Sequence, residues 1–160
     1  MNTMPDSIIP ESVSFRLAQE DDAALLARLQ AEMDDDLPLA EHQLDVAAMR
    51  QTLKDMATYP DFHAYFLLDD DQIIGSFSLL IFASPSHQGS PQALLDAVVI
   101  TAARRSEGYG EMMIQQAMQL AASAGCYKMM LSSNLKRVAA HRFYERLGFV
   151  QHGLSFSIEL

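Results

Sequence analysis

Eight residues, Ala93 to Ile100 (ALLDAVVI), are apolar at every position but Asp96. A strand that is apolar on both of its alternating faces has to be covered on both sides, so this run predicts a central strand of a layered domain. It is followed by TAARRSEGYG and then by a good helix former from Gly110 to Ala124. In that helix Met113, Ile114, Ala117 and Leu120 form one stripe, and Gly125 stands as the stop. Strand, glycine-containing turn and helix, in that order, constrain the fold more than any other stretch of the chain.

The rest of the chain fits around this unit. Val13 to Leu17 alternates as a half-buried strand, and Asp21 and Asp22 precede Leu25, Leu26 and Leu29 at helical spacing. A second amphipathic helix is predicted from about Leu44 to Met56, with Leu44, Met49, Leu53 and Met56 on its apolar side. Ala64 to Leu68 and Ile73 to Phe82 read as two strands joined by the polar DDDQ, a hairpin. Ala83 to Pro91 is a loop, Tyr127 to Leu131 a further strand, Arg137 to Leu147 a helix, and Phe149 to Leu160 terminal strand material. The expected class is α/β, a mixed sheet with some antiparallel pairing and helices on both faces. Its 160 residues fit one domain, 12–160, behind a loose arm at 1–11 that carries two prolines.

Charge narrows the partners. With 21 acidic against 11 basic residues the formal charge is -10, which repels phosphate backbones and argues against nucleic acid, whereas a cationic substrate would be drawn in. Acidic groups cluster at Glu32, Asp34, Asp35 and Asp36 and again at Asp69, Asp70 and Asp71, the second cluster reading as a turn. No apolar run reaches 18 residues and the N-terminal stretch has neither a basic start nor a long apolar segment, so no membrane partner is expected and the cytoplasm is the default location. Cys126, the single cysteine, reads as a small buried apolar residue, and no metal site is expected around it.

The turn Arg105-Ser106-Glu107-Gly108-Tyr109-Gly110 sits where a strand ends and a helix begins. Glycines there permit positive φ and close backbone approach, so successive N–H groups can face one concavity while the helix N-terminus adds partial positive charge. Such a turn suits a pyrophosphate, with Arg104 and Arg105 as the basic pair beside it. The alternative is a tight strand-to-helix connection without a ligand. A Walker-type loop fails because Gly110-Glu111 stands in place of Gly-Lys-Ser/Thr, and a dinucleotide fingerprint fails because Met113 stands where its third glycine belongs.

With FYERLGF following at Phe143 to Phe149, the chain resembles the GNAT (GCN5-related) N-acetyltransferases, whose cofactor turn reads Gln/Arg-x-x-Gly-x-Gly/Ala. Arg105, Gly108 and Gly110 fill its three defined positions, and SFRLAQEDDAALLARL (14–29) is similar to the family's opening strand and helix. LSSNLKRVAAHRFYERLGF (131–149) is similar to small-molecule enzymes of the family, among them the aminoalkylphosphonate N-acetyltransferases. The resemblance implies a mostly antiparallel central sheet and transfer of acetyl from acetyl-CoA to the primary amine of a small molecule. It implies that the amides of Arg105, Ser106, Glu107, Gly108, Tyr109 and Gly110 hold the pyrophosphate of coenzyme A. The edge of Val98, Val99 and Ile100 would bind the pantetheine arm, and Tyr144 would protonate the departing thiolate. It also implies a homodimer, since relatives are often dimers. The chain departs from the pattern at Glu107, at Ala102 in place of a proline, and at Arg137, which occupies the place of a cofactor-binding asparagine that Asn134 would inherit.

An alkylamine with a pKa of roughly 10 must lose a proton before it attacks. Asp96, read as a buried carboxylate whose pKa desolvation would raise, is the candidate base, its alternative being a structural hydrogen bond to backbone. A backbone N–H of Val98 to Ile100 would stabilise the carbonyl oxygen. His87, the Glu32–Asp36 segment, His141 and Arg142 are candidate neighbours of the acceptor or plain surface. The alternative function is a non-catalytic acyl-CoA-binding regulatory module.

Overall fold

The strand expected at Val13 to Leu17 forms there, as β1 (Val13–Leu17), and pairs antiparallel with β2 (Phe62–Asp69) in the register Val13↔Asp69 to Leu17↔Tyr65. The structure is a computed structural model that describes residues 9–33 and 43–160; Asp34, Asp35 and Asp36 of the acidic segment lie outside the described residues, as do residues 1–8 of the expected arm. β2 turns directly into β3 (Gln72–Ala83). The two residues between them, Asp70 and Asp71, have φ of 45° and 63°. Two consecutive left-handed residues give the turn whose twist matches that of the flanking strands, and aspartate is among the few side chains that tolerate this conformation.

β3 pairs antiparallel with β4 (Pro91–Ile100), and β4 pairs parallel with β5 (Met129–Met130), so the sheet order is β1-β2-β3-β4-β5. The helices are α1 (Ala23–Ala31), α2 (Val46–Met56), α3 (Tyr109–Ser123) and α4 (Val138–Arg146). Asp45 caps α2 by accepting the N–H of Ala48 at 2.8 Å. The chain divides into two compact units, Met1–Met130 and Leu131–Leu160, and each is described by itself.

In the first unit β2 shows why helices cover both sheet faces. Ala64, Phe66 and Leu68 pack with Ala23, Leu26 and Leu29 of α1, Leu53 and Met56 of α2, and Val99 of β4. Alternation puts Leu67 on the opposite face, and it is fully buried too. That face is served by α3, whose predicted stripe delivers Met113, Ile114 and Ala117 to the interior. Burial of a large apolar side chain contributes roughly 1.5–3 kcal/mol, so this two-sided core is the main source of the unit's stability.

In the second unit Asn134 Oδ1 accepts the N–H of Lys136 at 2.9 Å, a local turn that leads into α4. The terminal strand expected from Phe149 to Leu160 does not form: these residues have no regular structure, and Val150, Leu154, Phe156, Ile158 and Leu160 are exposed. A strand needs a partner strand to supply hydrogen bonds, and residues 131–160 contain none. β5 is shorter than expected, its ladder matching only Ala93 with Met129 and Leu94 with Met130.

Gly75 shows how tightly β3 approaches the end of β4. It lies opposite Ile100, and a Cβ there would come within 2.7 Å of Ile100 Cδ1 and 2.8 Å of the Val99 carbonyl oxygen. The isoleucine can rotate, but the carbonyl is main chain. Gly75→Ala is expected to lower stability by about 1–3 kcal/mol, read by denaturant unfolding; unchanged stability would show that the strand end yields freely.

Candidate active site

The site begins with an irregularity in β4. Ser76 is opposite Val99 and Ser78 is opposite Asp96, so Phe77 alone faces the two residues Ala97 and Val98. This is a β-bulge, and Ala97 takes the left-handed φ of 51° that it demands. A non-glycine residue held there costs about 1–3 kcal/mol and persists only when neighbours enforce it. Gln30 enforces it from α1: its Nε2 donates to the Ala97 carbonyl at 3.0 Å and to Ser76 Oγ at 3.1 Å, while Ser78 Oγ donates to the Asp96 carbonyl at 3.2 Å. The sequence reading missed these three residues. Their signal was there, as two serines in the otherwise apolar IIGSFSLLIF and a glutamine on the buried side of a helix.

Among the described residues no strand pairs with the outer edge of β4 beyond Leu94. The edge predicted to bind a pantetheine arm is therefore open alongside Val98, Val99 and Ile100, with Val99 buried and the other two half-buried. Asp96 corrects the sequence reading. It is exposed, not buried, because β5 ends before reaching its level, so the burial invoked for a base role is absent.

The turn after β4 is pinned from two sides. The Glu32 carboxylate, just after α1, accepts the Ala102 N–H at 2.6 Å and the Thr101 hydroxyl at 3.0 and 3.1 Å. Arg105 donates from Nη2 to the Glu32 carbonyl at 2.7 Å and from Nε to the Ile100 carbonyl at 3.1 Å. On the other side Arg104 Nη2 donates to Asp69 Oδ2 at 2.7 Å and to the Tyr109 hydroxyl, and its Nε donates to Glu107 Oε2 at 3.1 Å. Tyr109 completes the group by donating its hydroxyl to Asp69 Oδ2 at 2.7 Å. Arg104, followed by Ser12 and Tyr109, holds the Asp69 carboxyl down from 3.8 to about 2, and donation to Asp69 pushes the Tyr109 phenol up.

The arginine pair thus differs from its expected use. Both guanidinium groups tie down the turn, and Glu107, the departure from the family pattern, faces Arg104. What the turn offers an anion is main chain. Ser106 and Gly108 are left-handed, with φ of 66° and 90°, and α3 starts at Tyr109. Among the described residues no backbone carbonyl accepts the N–H groups of Ser106, Glu107, Gly108, Tyr109 or Gly110, and a Cβ on Gly108 would meet nothing within 4 Å. Left-handed residues set among successive donors at a helix head are the geometry that binds a phosphate oxyanion. The residues present therefore fit the diphosphate of coenzyme A.

In the second unit Tyr144 is half-buried between Phe143 and Phe149, with ring centroids 5.3 and 5.7 Å away. Burial pushes its phenol up and Arg137 opposes this in part, so the hydroxyl keeps its proton at neutral pH. That hydroxyl has no hydrogen-bond partner among the described residues. Asn134 and Arg137 are exposed, and the Asn134 carbonyl lies 2.9 Å from His141 Nε2. Back in the first unit, His87 packs on Tyr127 at 4.7 Å, at the Pro91 end of β4 rather than the Ile100 end. Burial pushes the Cys126 thiol up, so it is a poor nucleophile.

A five-stranded sheet with a bulged fourth strand leads into a helix head whose first amides meet no backbone carbonyl among the described residues. The sequence model of the acetyltransferase (GNAT) family matches residues 26–149, and the chain belongs to that family. It is 33% identical over 89 residues to a glucosamine 6-phosphate N-acetyltransferase of Trypanosoma brucei brucei, covering 56% of this chain and 58% of that protein. It is 29% identical over 119 residues to an aminoalkylphosphonate N-acetyltransferase of Salmonella typhimurium strain LT2, covering 74% and 77%. The chain thus spans little more than half the length of the Trypanosoma relative. A transcriptional regulator from Bacillus halodurans C-125 shares the fold, with a TM-score of 0.83 over 92% of this chain and 99% of that one at 24% identity.

Asp69 makes the turn sensitive to acid in a defined direction. Its carboxyl is lowered in the folded state, so its contribution is present above pH 4 and is lost as pH falls toward about 2. Asp69→Asn is expected to melt lower than the parent at pH 6 and to lose less stability between pH 5 and pH 2, followed by thermal unfolding. Parallel pH profiles for the two proteins would show that the carboxylate is not the acid-labile tie.

Proposed function

We propose that the protein is an N-acetyltransferase that moves the acetyl group of acetyl-CoA onto the primary amine of a small molecule by direct attack. The observation that carries this reading is the row of unclaimed amides from Ser106 to Gly110, beside the open edge of β4. Those amides would hold the diphosphate, joined by the Arg105 amide on the strength of the family pattern, and the Val98 to Ile100 edge would bind the arm that carries the thioester. Asn134 and Arg137 are the further cofactor contacts in this reading. When bound, the donor supplies an acetyl thioester whose carbon–sulfur bond breaks as the amine nitrogen bonds to the acetyl carbon.

The chain's own residues handle protons and charge. Asp96, exposed on β4, would take the amine proton directly or through water, and a β4 amide would stabilise the acetyl oxygen as it gains negative charge. Tyr144, which keeps its proton and whose hydroxyl has no hydrogen-bond partner among the described residues, would give that proton to the leaving sulfur. The two named relatives act on an amino sugar phosphate and on aminoalkylphosphonates, so the acceptor class proposed is a primary amine that also carries a phosphorus oxyanion. Residues 131–160 hold exposed basic residues for such a group in Lys136, Arg142 and Arg146. In this reading the enzyme works in the cytoplasm as a homodimer.

The test is acetyl-CoA with an amine panel containing aminoalkylphosphonates, amino sugar phosphates and polyamines, followed by release of free thiol. Turnover is expected with the phosphorus-bearing amines. Coenzyme A binding without thiol release for any amine would make the protein a regulatory module instead. Tyr144→Phe is expected to lower kcat roughly 10²-fold while the affinity for coenzyme A stays constant; an unchanged kcat would remove Tyr144 as the acid.

A further inference from the structure

Helix α1 buries Ala23, Leu26 and Ala27 on one stripe, and the same stripe continues one turn later to position 30, where the chain carries glutamine. Gln30 gives its amide nitrogen to two bonds there, to Ser76 Oγ at 3.1 Å and to the Ala97 carbonyl at 3.0 Å. A carbonyl only accepts, so it is the nitrogen of the Gln30 amide, not its oxygen, that faces Ala97. Ser76 is fully buried, Ser78 nearly so, and Ala97 is left-handed. A leucine at position 30 over a regular strand would bury more apolar surface without that strain. Polarity and strain kept together at one place point to a task other than stability.

The effect of the bulge can be followed along the main chain, because successive N–H groups of a strand point to opposite edges. Near the start of β4 the Ala93 N–H donates to the Lys128 carbonyl at 3.0 Å, toward the outer edge. Just past its end the Thr101 N–H donates to the Ile74 carbonyl of β3 at 2.8 Å, toward the inner edge. Ala93 and Thr101 are both odd-numbered, so a regular strand would send these two groups the same way. The extra residue opposite Phe77 reverses the order. Counting back from Thr101, the N–H groups of Val98 and Ile100 face the outer edge. Without the bulge those of Ala97 and Val99 would.

We infer that Gln30 is a positioning residue for the pantetheine arm of the cofactor: by holding the Ala97 carbonyl it fixes the bulge, and the bulge selects Val98 and Ile100 as the amides offered along the open edge. The arm carries amide groups of its own, which a strand edge can hydrogen-bond as it would an added strand. Gln30 acts on the arm only through β4, and Ser76, fixed opposite Val99, holds the glutamine in turn. The assignment rests on the coenzyme A reading proposed above.

Gln30→Leu keeps the side-chain bulk and removes both bonds. In titration calorimetry its affinity for coenzyme A is expected to fall roughly tenfold, while its affinity for ADP, which has the diphosphate and no arm, stays within about twofold of the parent's. General damage to the domain would weaken both ligands alike. Gln30→Glu is the second variant, because a carboxylate cannot donate to the Ala97 carbonyl whereas its protonated form can. Its affinity for coenzyme A relative to the parent at the same pH is expected to recover as pH falls from about 8 to about 5.5, which a space-filling role would not produce. Asp96 and Glu32, the carboxylates of the flanking stretches, are common to both proteins and cancel in that ratio. A parent that binds no coenzyme A would overturn the cofactor reading and this assignment together. Undiminished coenzyme A affinity in Gln30→Leu, equal losses for coenzyme A and ADP, or a Gln30→Glu ratio that is flat with pH would overturn the role of Gln30 alone.

Discussion

At the head of α3 Asp69, from the end of β2, meets Arg104 and Tyr109, and the three share hydrogen bonds that fix where the main chain leaves β4. Glu32 does the same from the opposite side by taking the Ala102 amide and the Thr101 hydroxyl. Between these two anchors the chain can hold Ser106 and Gly108 in left-handed conformations and leave consecutive N–H groups without backbone acceptors among the described residues. Unsatisfied donors of this kind are costly in a protein interior, and they are tolerated where solvent or a ligand completes them. Their preorganisation matters most in so acidic a protein, which would otherwise repel a polyanion.

The same logic governs β4. A regular strand would continue its pairing with β5 to the end and close the sheet. The bulge at Ala97, held by Gln30 together with Ser76 and Ser78, instead accompanies an open edge from Leu95 to Ile100. The buried polar groups here look misplaced in an apolar core until their partners are counted. Gln30 donates to the Ala97 carbonyl and to Ser76 Oγ, and Ser78 donates to the Asp96 carbonyl. Strain and polarity in β4 thus share one consequence, a main-chain surface that stays accessible next to the glycine turn.

How far this was legible in the sequence depended on the range of the interactions. β1 and the Asp70-Asp71 hairpin were readable because local conformation and alternation decide them, and the stripe of Met113, Ile114 and Ala117 because one helical face does. The glycine turn was readable as a candidate since Gly108 and Gly110 sit where a strand meets a helix. Asp96 was misread as buried because its exposure follows from where β5 stops, which is a tertiary fact. The real task of Arg104 could not be seen either, since its partner Asp69 lies 35 residues earlier in the chain. For Phe149 to Leu160 the pattern was a strand's, but a pattern does not supply the neighbour that makes one.

The central claim is that main-chain donors, rather than arginine side chains, grip the diphosphate. Titration calorimetry of coenzyme A into the parent protein and into Gly108→Val tests it most directly, because a valine cannot easily hold the left-handed φ of 90°. Saturable binding to the parent, weakened at least tenfold in a variant that remains folded by circular dichroism, is the predicted result. No binding to the parent, or equal affinity in the two folded proteins, would contradict the account.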